Sequence, residues 1–460
     1  MNNSRIGFEV IKKILEKYGP LLGSELNQKL RETMDISSAY ARKIIQRATD
    51  NEVIFSTKPV SFGRGQYLYY LQHHNISDAL QTALQKQRKG LHRIFQSLVH
   101  NKGRILTSEA IKISAAVTNR NFFPANEPKE KVLDNLLQLG IIKDISNYNE
   151  ISYIIAKMQN ISSEAELYPW YRRHMVNRLF ALEAATWLER CNITAWNQTH
   201  IFDSEQNRVD FNGHLWDAVG FTYLYGFYES YYENEEKKKT PSFVFMEMLF
   251  HRQTYLEDVE GFVARIEMQS ARMKNYKTGT RIIPILFYRT IEREAFEIAK
   301  EKGILLYSMR DWIGEFSVEL FEYLVNPYYM DNDFSKKLET YLKSLQLLGG
   351  QYYNIYRELF IIKHSKAYLE RGWNIRRHIH YRVGEDKFYA DWLMFDHADT
   401  PVLCTFISKF LSKKEKEMLS FLENTFSKYQ SIYSDVKGDF IKPKWMIFDE
   451  DGLYLQSPNS

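Results

Sequence analysis

Apolar residues recur at helical spacing from the first turns of the chain. Ile6, Val10, Ile14 and Leu15 share one side of a predicted helix over residues 6–18, which Gly19-Pro20 closes. Leu26 and Leu30, four apart, predict a second helix from a Ser24 cap through Met34. Ala41, Ile44 and Ile45 predict a third, capped by Ser37 or Ser38 and running to about Asn51. VIFST and QYLYYL then read as two strands around Ser61-Phe62-Gly63-Arg64-Gly65. The pattern starts again after a connecting helix over 76–89. A helix over 91–100, one capped by Thr107 or Ser108, and one from Glu127 to Leu139 precede the strand-like IIKDI and ISYII.

From Ser163 onward the pattern changes to long apolar runs. A long helix starts at YPWYRRHM, and LWDAVGFTYLY reads as a strand with Asp217 near its start. FVFMEM is a strand with Glu247 near its end, followed by a helix carrying Val259, Phe262, Val263, Ile266 and Met273. RIIPILFY and ILLYS, bounded by turn signals, read as buried parallel strands, and EREAFEIAKEKG between them as a helix ended by Gly303. ENEEKKK over 233–239 reads as a solvated loop. Farther on, a helix over 351–373, a hairpin around Gly384-Glu385-Asp386, a strand at PVLCTFISKF, a helix over 413–433 and a last strand at KPKWMIFDED repeat the order faintly.

Composition narrows the class. A chain of 460 residues suggests about three domains, and 44% hydrophobic residues suffice for several cores. No apolar run is long enough to span a membrane and no signal peptide is seen. Two cysteines, Cys191 and Cys404, argue against a disulfide framework or a cysteine zinc site, so a reducing cytoplasm is expected. No GxxxxGK(S/T) phosphate loop occurs, which excludes a P-loop NTPase. The net charge of +4 conceals an asymmetry: residues 1–157 hold 23 Lys and Arg against 14 Asp and Glu, while the remainder holds 38 against 43. A basic first third on a mildly acidic body predicts one polyanion-binding region.

Three helices followed by a glycine-tipped hairpin resemble a winged helix-turn-helix, and the second pattern resembles it again. In that family the third helix enters the major groove and the wing touches backbone or minor groove. The resemblance makes Ser38, Arg42, Lys43 and Arg47, with Arg64 between its two glycines, the expected DNA contacts. Arg120, Lys129 and Lys131 are further candidates from the second unit, whereas Phe122-Phe123 reads as a packing anchor.

The order of elements over roughly 168–315, with Asp217 and Glu247, resembles the PD-(D/E)xK nuclease superfamily, the restriction-endonuclease-like fold, and its Mrr-like branch in particular. That resemblance implies that Asp217 and Glu247 are catalytic acids holding Mg²⁺, with Glu183 or Glu189 of the first helix as a further ligand. It also implies a lysine two residues after Glu247. Met248 fills the middle position and Leu249 stands where the lysine belongs, offering neither charge nor hydrogen bond. Arg252, Arg265 and Arg272 are the candidate substitutes, and His251 and Gln253 are polar neighbours without motif support. In the second, fainter core Asp391 takes the place of the first acid and Thr405 that of the second. The basic strand Arg376-Arg377-His378-His380-Arg382 remains as a candidate groove lining.

The expected fold is multidomain α+β and α/β. Two winged helices span 1–75 and 76–160, a restriction-endonuclease-like domain with an incomplete motif 163–330, and a degenerate second one 335–460. The expected function is that of a cytoplasmic protein that binds double-stranded DNA and carries catalytically impaired nuclease-like domains. The family places it in bacterial or mobile-element DNA transactions such as phage defence, restriction or transposition accessory work. The alternatives are an active Mg²⁺-dependent endonuclease using Asp217 and Glu247, and a scaffold for a protein partner such as an ATPase or nuclease subunit.

Overall fold

The computed structural model describes residues 2–148, 151–157, 159, 164–201, 209–224, 229–233, 236–273, 281–326, 334–347, 352, 354–356, 358–359, 361–363, 374–383, 386–395, 401–406, 444–448 and 454–456. These form a mixed α+β protein of two units. The first holds Met1–Tyr168 and Cys191–Ser308, the second Pro169–Arg190 and Met309–Ser460.

The first unit begins with α1 (Asn2–Tyr18), β1 (Leu21–Leu22), α2 (Gly23–Met34), α3 (Ser38–Asp50), β2 (Phe55–Ser56) and β3 (Leu68–Tyr70). Ile11, Ile14 and Leu15 of α1, Leu26 and Leu30 of α2, and Ala41, Ile44, Ile45 and Ala48 of α3 close one apolar cluster with Ile54 and Leu71. Such three- and four-residue spacings put the apolar side of each helix inward. Ser37 is the residue that caps α3, its Oγ accepting from the Tyr40 N–H. Ser24 does not cap α2: the helix starts one residue earlier, and Glu25 reaches back to accept the Leu22 N–H at 3.0 Å. The three short strands form one sheet in the order β1-β3-β2.

After a connecting helix, α4 (Ser77–Gln87), a second three-helix segment follows: α5 (Lys89–His100), β4 (Arg104–Leu106), α6 (Thr107–Ser114), α7 (Lys129–Gln138), β5 (Ile142–Tyr148) and β6 (Ile151–Ala156). Its helix α7 starts at Lys129 rather than Glu127, because Pro128 caps it with extended backbone (ψ 154°). The apolar cluster of this segment takes in Leu215, so 76–157 and the strands that follow Cys191 share a core.

The chain then runs through α8 (Tyr168–Arg190), which groups with the second unit from Pro169. Back in the first unit come β7 (His200–Ile201), β8 (Val209–Phe211), β9 (His214–Trp216), β10 (Ala218–Thr222), β11 (Glu229–Glu233), β12 (Glu236–Thr240), β13 (Ser242–Thr254), α9 (Leu256–Met273), β14 (Ile282–Ile291), α10 (Arg293–Glu301) and β15 (Leu305–Ser308). The main sheet runs β15-β14-β13-β10-β7, antiparallel from β7 to β13 and parallel from β13 to β15. β13 is buried along nearly its whole length, as a central strand covered on both faces is, and Glu247, His251 and Arg252 interrupt its apolar run. Two local expectations change. Most of ENEEKKK belongs to a hairpin, with Glu233 paired to Glu236, rather than a loop. The strand carrying Glu247 extends to Thr254 through a shift of register between Leu249 and Gln253, so His251 and Arg252 lie within it, not after it.

In the second unit, α11 (Met309–Trp312), α12 (Ser317–Val325) and α13 (Phe334–Leu347) accompany α8. Phe180 meets Phe321 with ring centroids 5.4 Å apart, and Arg172 Nη2 donates to the Leu324 carbonyl at 2.9 Å. The strands β16 (Asn374–Val383), β17 (Asp386–Phe395), β18 (Pro401–Phe406), β19 (Lys444–Phe448) and β20 (Tyr454–Gln456) form a sheet in sequence order. The expected helix over 351–373 is described only in part, and the one over 413–433 lies outside the described residues. The two large sheets share a pairing rule: β10/β13 and β17/β18 are antiparallel, β13/β14 and β18/β19 parallel. Continued by one residue, the two registers set Asp217 against Glu247 and Asp391 against Thr405.

Candidate functional site

Asp217 sits in the one-residue break between β9 and β10, and Glu247 on the neighbouring strand β13. Two backbone contacts fix the first acid. The Asp217 N–H donates to the Met246 carbonyl at 3.2 Å, and the Met248 N–H donates to Asp217 Oδ2 at 2.8 Å. The two carboxylates are thus brought side by side, as a shared metal would require.

The space between them is taken by a lysine from another segment. Lys112 of α6 places its Nζ 3.0 and 2.9 Å from the two Asp217 oxygens and donates to Glu247 Oε1 as well. On the far side Arg265 of α9 donates to Glu247 Oε2 at 2.5 Å and to the Leu215 carbonyl at 2.6 Å. Its guanidinium lies 4.7 Å from the Trp216 ring centroid. Lys112 is 2% exposed, Asp217 1%, Glu247 4% and Arg265 1%. Two positive and two negative groups therefore balance inside the protein, each hydrogen-bonded, which is the arrangement under which buried charge is tolerated.

This geometry tests the expected Mg²⁺ directly. Asp217 and Glu247 offer the oxygen ligands that a hard cation takes. An ammonium group already stands on those oxygens, and a dication beside it would meet like charge in a region that water cannot screen. The closed arrangement does not fit a bound metal. Leu249 is explained by the same packing: it is buried with Val259 and Phe262 of α9, in an apolar cluster that a lysine would disrupt.

Of the candidate substitutes, only Arg265 reaches the acids. Arg252 pairs through both terminal nitrogens with Asp258 at 2.7 Å each. Burial opposes its charge, but Asp258 and Glu109 outweigh burial and hold its pKa above the ordinary arginine value. His251 Nε2 lies 2.9 Å from Glu109 Oε1. Arg272 stacks over Phe122, 4.3 Å from its centroid, and Phe123 packs on His214, which fits the reading of the phenylalanine pair as a packing anchor. His214 is pushed down to about 3 by burial and then by Arg265, so it stays neutral; Gln269 Nε2 lies 3.0 Å from its Nδ1. Glu183 and Glu189 lie on α8, in the second unit. Burial raises Glu183 to about 7, and the Asn354 N–H donates to it at 2.5 Å. Glu183 thus has a partner within its own unit, and Asp217 and Glu247 have theirs within the first.

The expected DNA contacts divide into two groups. Arg42, Lys43, Gln46 and Arg47 are exposed along one side of α3, opposite the buried Ala41, Ile44, Ile45 and Ala48. Arg64 is exposed at the turn before β3, with φ of +42° between Gly63 at +65° and Gly65 at +71°. Three successive left-handed residues explain why glycine flanks the arginine on both sides. Arg31, Arg42, Lys58 and Arg64, with Glu32 and Asp35, line one cleft of about 970 Å³ between α2, α3 and that turn. Ser38 is turned to the helix joint instead, where its Oγ donates to Asn27 Oδ1 at 3.1 Å. Arg120 and Lys131 are exposed, and Lys129 is half-buried with Glu130 4.0 Å away.

Sequence reasoning missed Lys112 and Glu109. Between Ile111 and Ile113, Lys112 looks like the solvent side of an amphipathic helix. Its acid partners lie 105 and 135 residues away, beyond any local signal. The chain matches no family model, no curated protein and no solved structure.

Proposed function

We propose that this chain is a DNA-binding protein whose nuclease-like acids are neutralised from within. In this reading residues 1–75 form a winged helix-turn-helix that meets duplex DNA through α3 and the Arg64 turn. Residues 191–308 carry a restriction-endonuclease-like core that does not cut. The observation that carries the reading is the contrast in charge: a basic helix face left exposed beside a cleft, and an acid pair closed by Lys112 and Arg265. Exposed Arg and Lys along a helix of suitable length supply phosphate and base-edge contacts. The setting in bacterial defence or mobile-element DNA transactions rests on the resemblance alone.

A second reading is favoured by one observation. A lysine does stand beside both acids, though it comes from α6 and not from the strand. An active Mg²⁺-dependent endonuclease would then use Lys112 in place of Leu249. Incubating supercoiled plasmid with Mg²⁺ or Mn²⁺, while measuring binding to the same DNA, separates these readings. Binding without nicking is expected. Nicking lost in Asp217→Asn would establish the nuclease, and neither binding nor nicking would leave a protein-interaction scaffold.

A further inference from the structure

Helix α6 is an unusual carrier of charge. Every residue from Glu109 to Ser114 is buried, including an acid and a base one turn apart. Each enters a separate complementary site on β13. Lys112 reaches Glu247 and Asp217, and Glu109 lies against His251, 2.9 Å away, and Arg252, 3.5 Å away. The spacing of three on the helix therefore matches a spacing of four on the strand, through the register shift that places His251 and Arg252.

The seat of α6 is shaped for a close backbone approach. At Gly261 of α9 an added Cβ would lie 2.6 Å from the Ile113 carbonyl oxygen and 2.7 Å from the Ile113 Cα. Arg93 of α5 donates to the Ile113 and Ser114 carbonyls at 2.6 and 3.0 Å, satisfying the end of the helix where Ala115 turns left-handed. The contact is thus built around one short helix held at its C-terminal end and by two buried ion pairs. Paired groups of this kind give little net stability over an apolar seat but penalise any other docking arrangement.

We propose that Lys112 of α6 is a built-in substitute for a metal: it holds the cation position between Asp217 and Glu247, Glu109 is the positioning residue that keeps it there, and with Lys112 removed the two carboxylates take a divalent cation. The proposal rests on the nuclease-like reading of the core, yet it stands apart from the DNA-binding claim, because Lys112 is not among the residues that line the cleft of α2 and α3. The full-length protein without DNA is the material for its test, with Mn²⁺ alone as probe, followed by calorimetry and by thermal unfolding. The unaltered protein is expected to show no Mn²⁺-dependent shift. Lys112→Met should bind Mn²⁺ about tenfold or more tightly than the unaltered protein and unfold at higher temperature in its presence. Adding Asp217→Asn should abolish that gain, and Glu109→Gln alone should give a smaller one. If Lys112→Met does not fold without metal, recovery of native ellipticity on refolding in Mn²⁺ becomes the readout, and failure to recover counts against the proposal. A folded Lys112→Met indifferent to Mn²⁺ overturns the proposal, as does an unaltered protein that already binds Mn²⁺ equally well. In the same samples DNA binding should persist; its loss in Arg42→Ala/Arg47→Ala together with retention in Lys112→Met tells the failure of one claim from that of the other.

Discussion

The two N-terminal three-helix segments use the same apolar spacing and opposite electrostatics. In the first, α3 buries Ala41, Ile44, Ile45 and Ala48 and leaves Arg42, Lys43 and Arg47 in solvent. In the second, α6 buries Glu109 and Lys112 along with its alanine and isoleucines. The exposed charges cost nothing to hold and are free to meet a polyanion. The buried ones are committed to Asp217, Glu247, His251 and Arg252 and make the second segment part of the αβ core. A helical pattern therefore sets which side packs, while the partner surface decides what becomes of its charges.

The strongest way to break this comparison is Lys112→Ala. It leaves two buried carboxylates facing one guanidinium, and removing one partner of a buried pair costs about 3–5 kcal/mol. Chemical denaturation should show that loss in the first unit, whereas Arg42→Ala should change stability by less than about 0.5 kcal/mol. Equal effects would erase the distinction between committed and free charge.

Gly261→Ala comes next. The new Cβ would press on the backbone of Ile113, and forcing extra volume into a closed contact costs about 1–3 kcal/mol. An unchanged unfolding midpoint would mean that α6 is not seated as closely as described.

Acidification gives a third expectation. His214 is neutral in the fold with its pKa down at about 3, while the unfolded imidazole titrates near the ordinary value of 6.5. The unfolded state therefore binds the extra proton first. The stabilisation is complete above pH 6.5 and is lost as pH falls toward 3, amounting to about 2 kcal/mol between pH 7 and 5. His214→Gln should flatten that dependence; an unaltered slope in the variant would assign the pH effect elsewhere.

The smallest effect sharpens the first segment. Arg64→Ala should weaken DNA binding a few-fold across unrelated sequences, since a contact to phosphate positions the protein without reading bases. A loss confined to one base position, seen by binding to a panel of duplexes, would reassign the turn.

Much of the architecture was legible because it is local. The helices of both segments follow from three- and four-residue spacing, and the strand order around Asp217 and Glu247 follows from apolar runs separated by amphipathic helices. Even the register that sets Asp217 against Glu247 has a counterpart in Asp391 and Thr405. What was not legible depends on contact across the chain. Leu249 looked like the loss of a function; in the fold it is a core residue packed with Val259 and Phe262. His251 and Arg252 fell beyond the apolar run that marked the strand; in the fold they continue it, with Glu109 and Asp258 beside them. Lys112, the residue that decides the chemistry of the acid pair, carries no mark in its own neighbourhood.

The central claim is that the exposed basic face of α3 binds DNA. It is tested most directly by titrating salt against duplex affinity for the full-length protein and for Arg42→Ala/Arg47→Ala. Each phosphate contact releases condensed counterions, so the account predicts a steep decline of affinity with salt for the unaltered protein. The double variant should bind about tenfold or more weakly, with a slope reduced by roughly two contacts. The same affinity and the same slope in both proteins would contradict it.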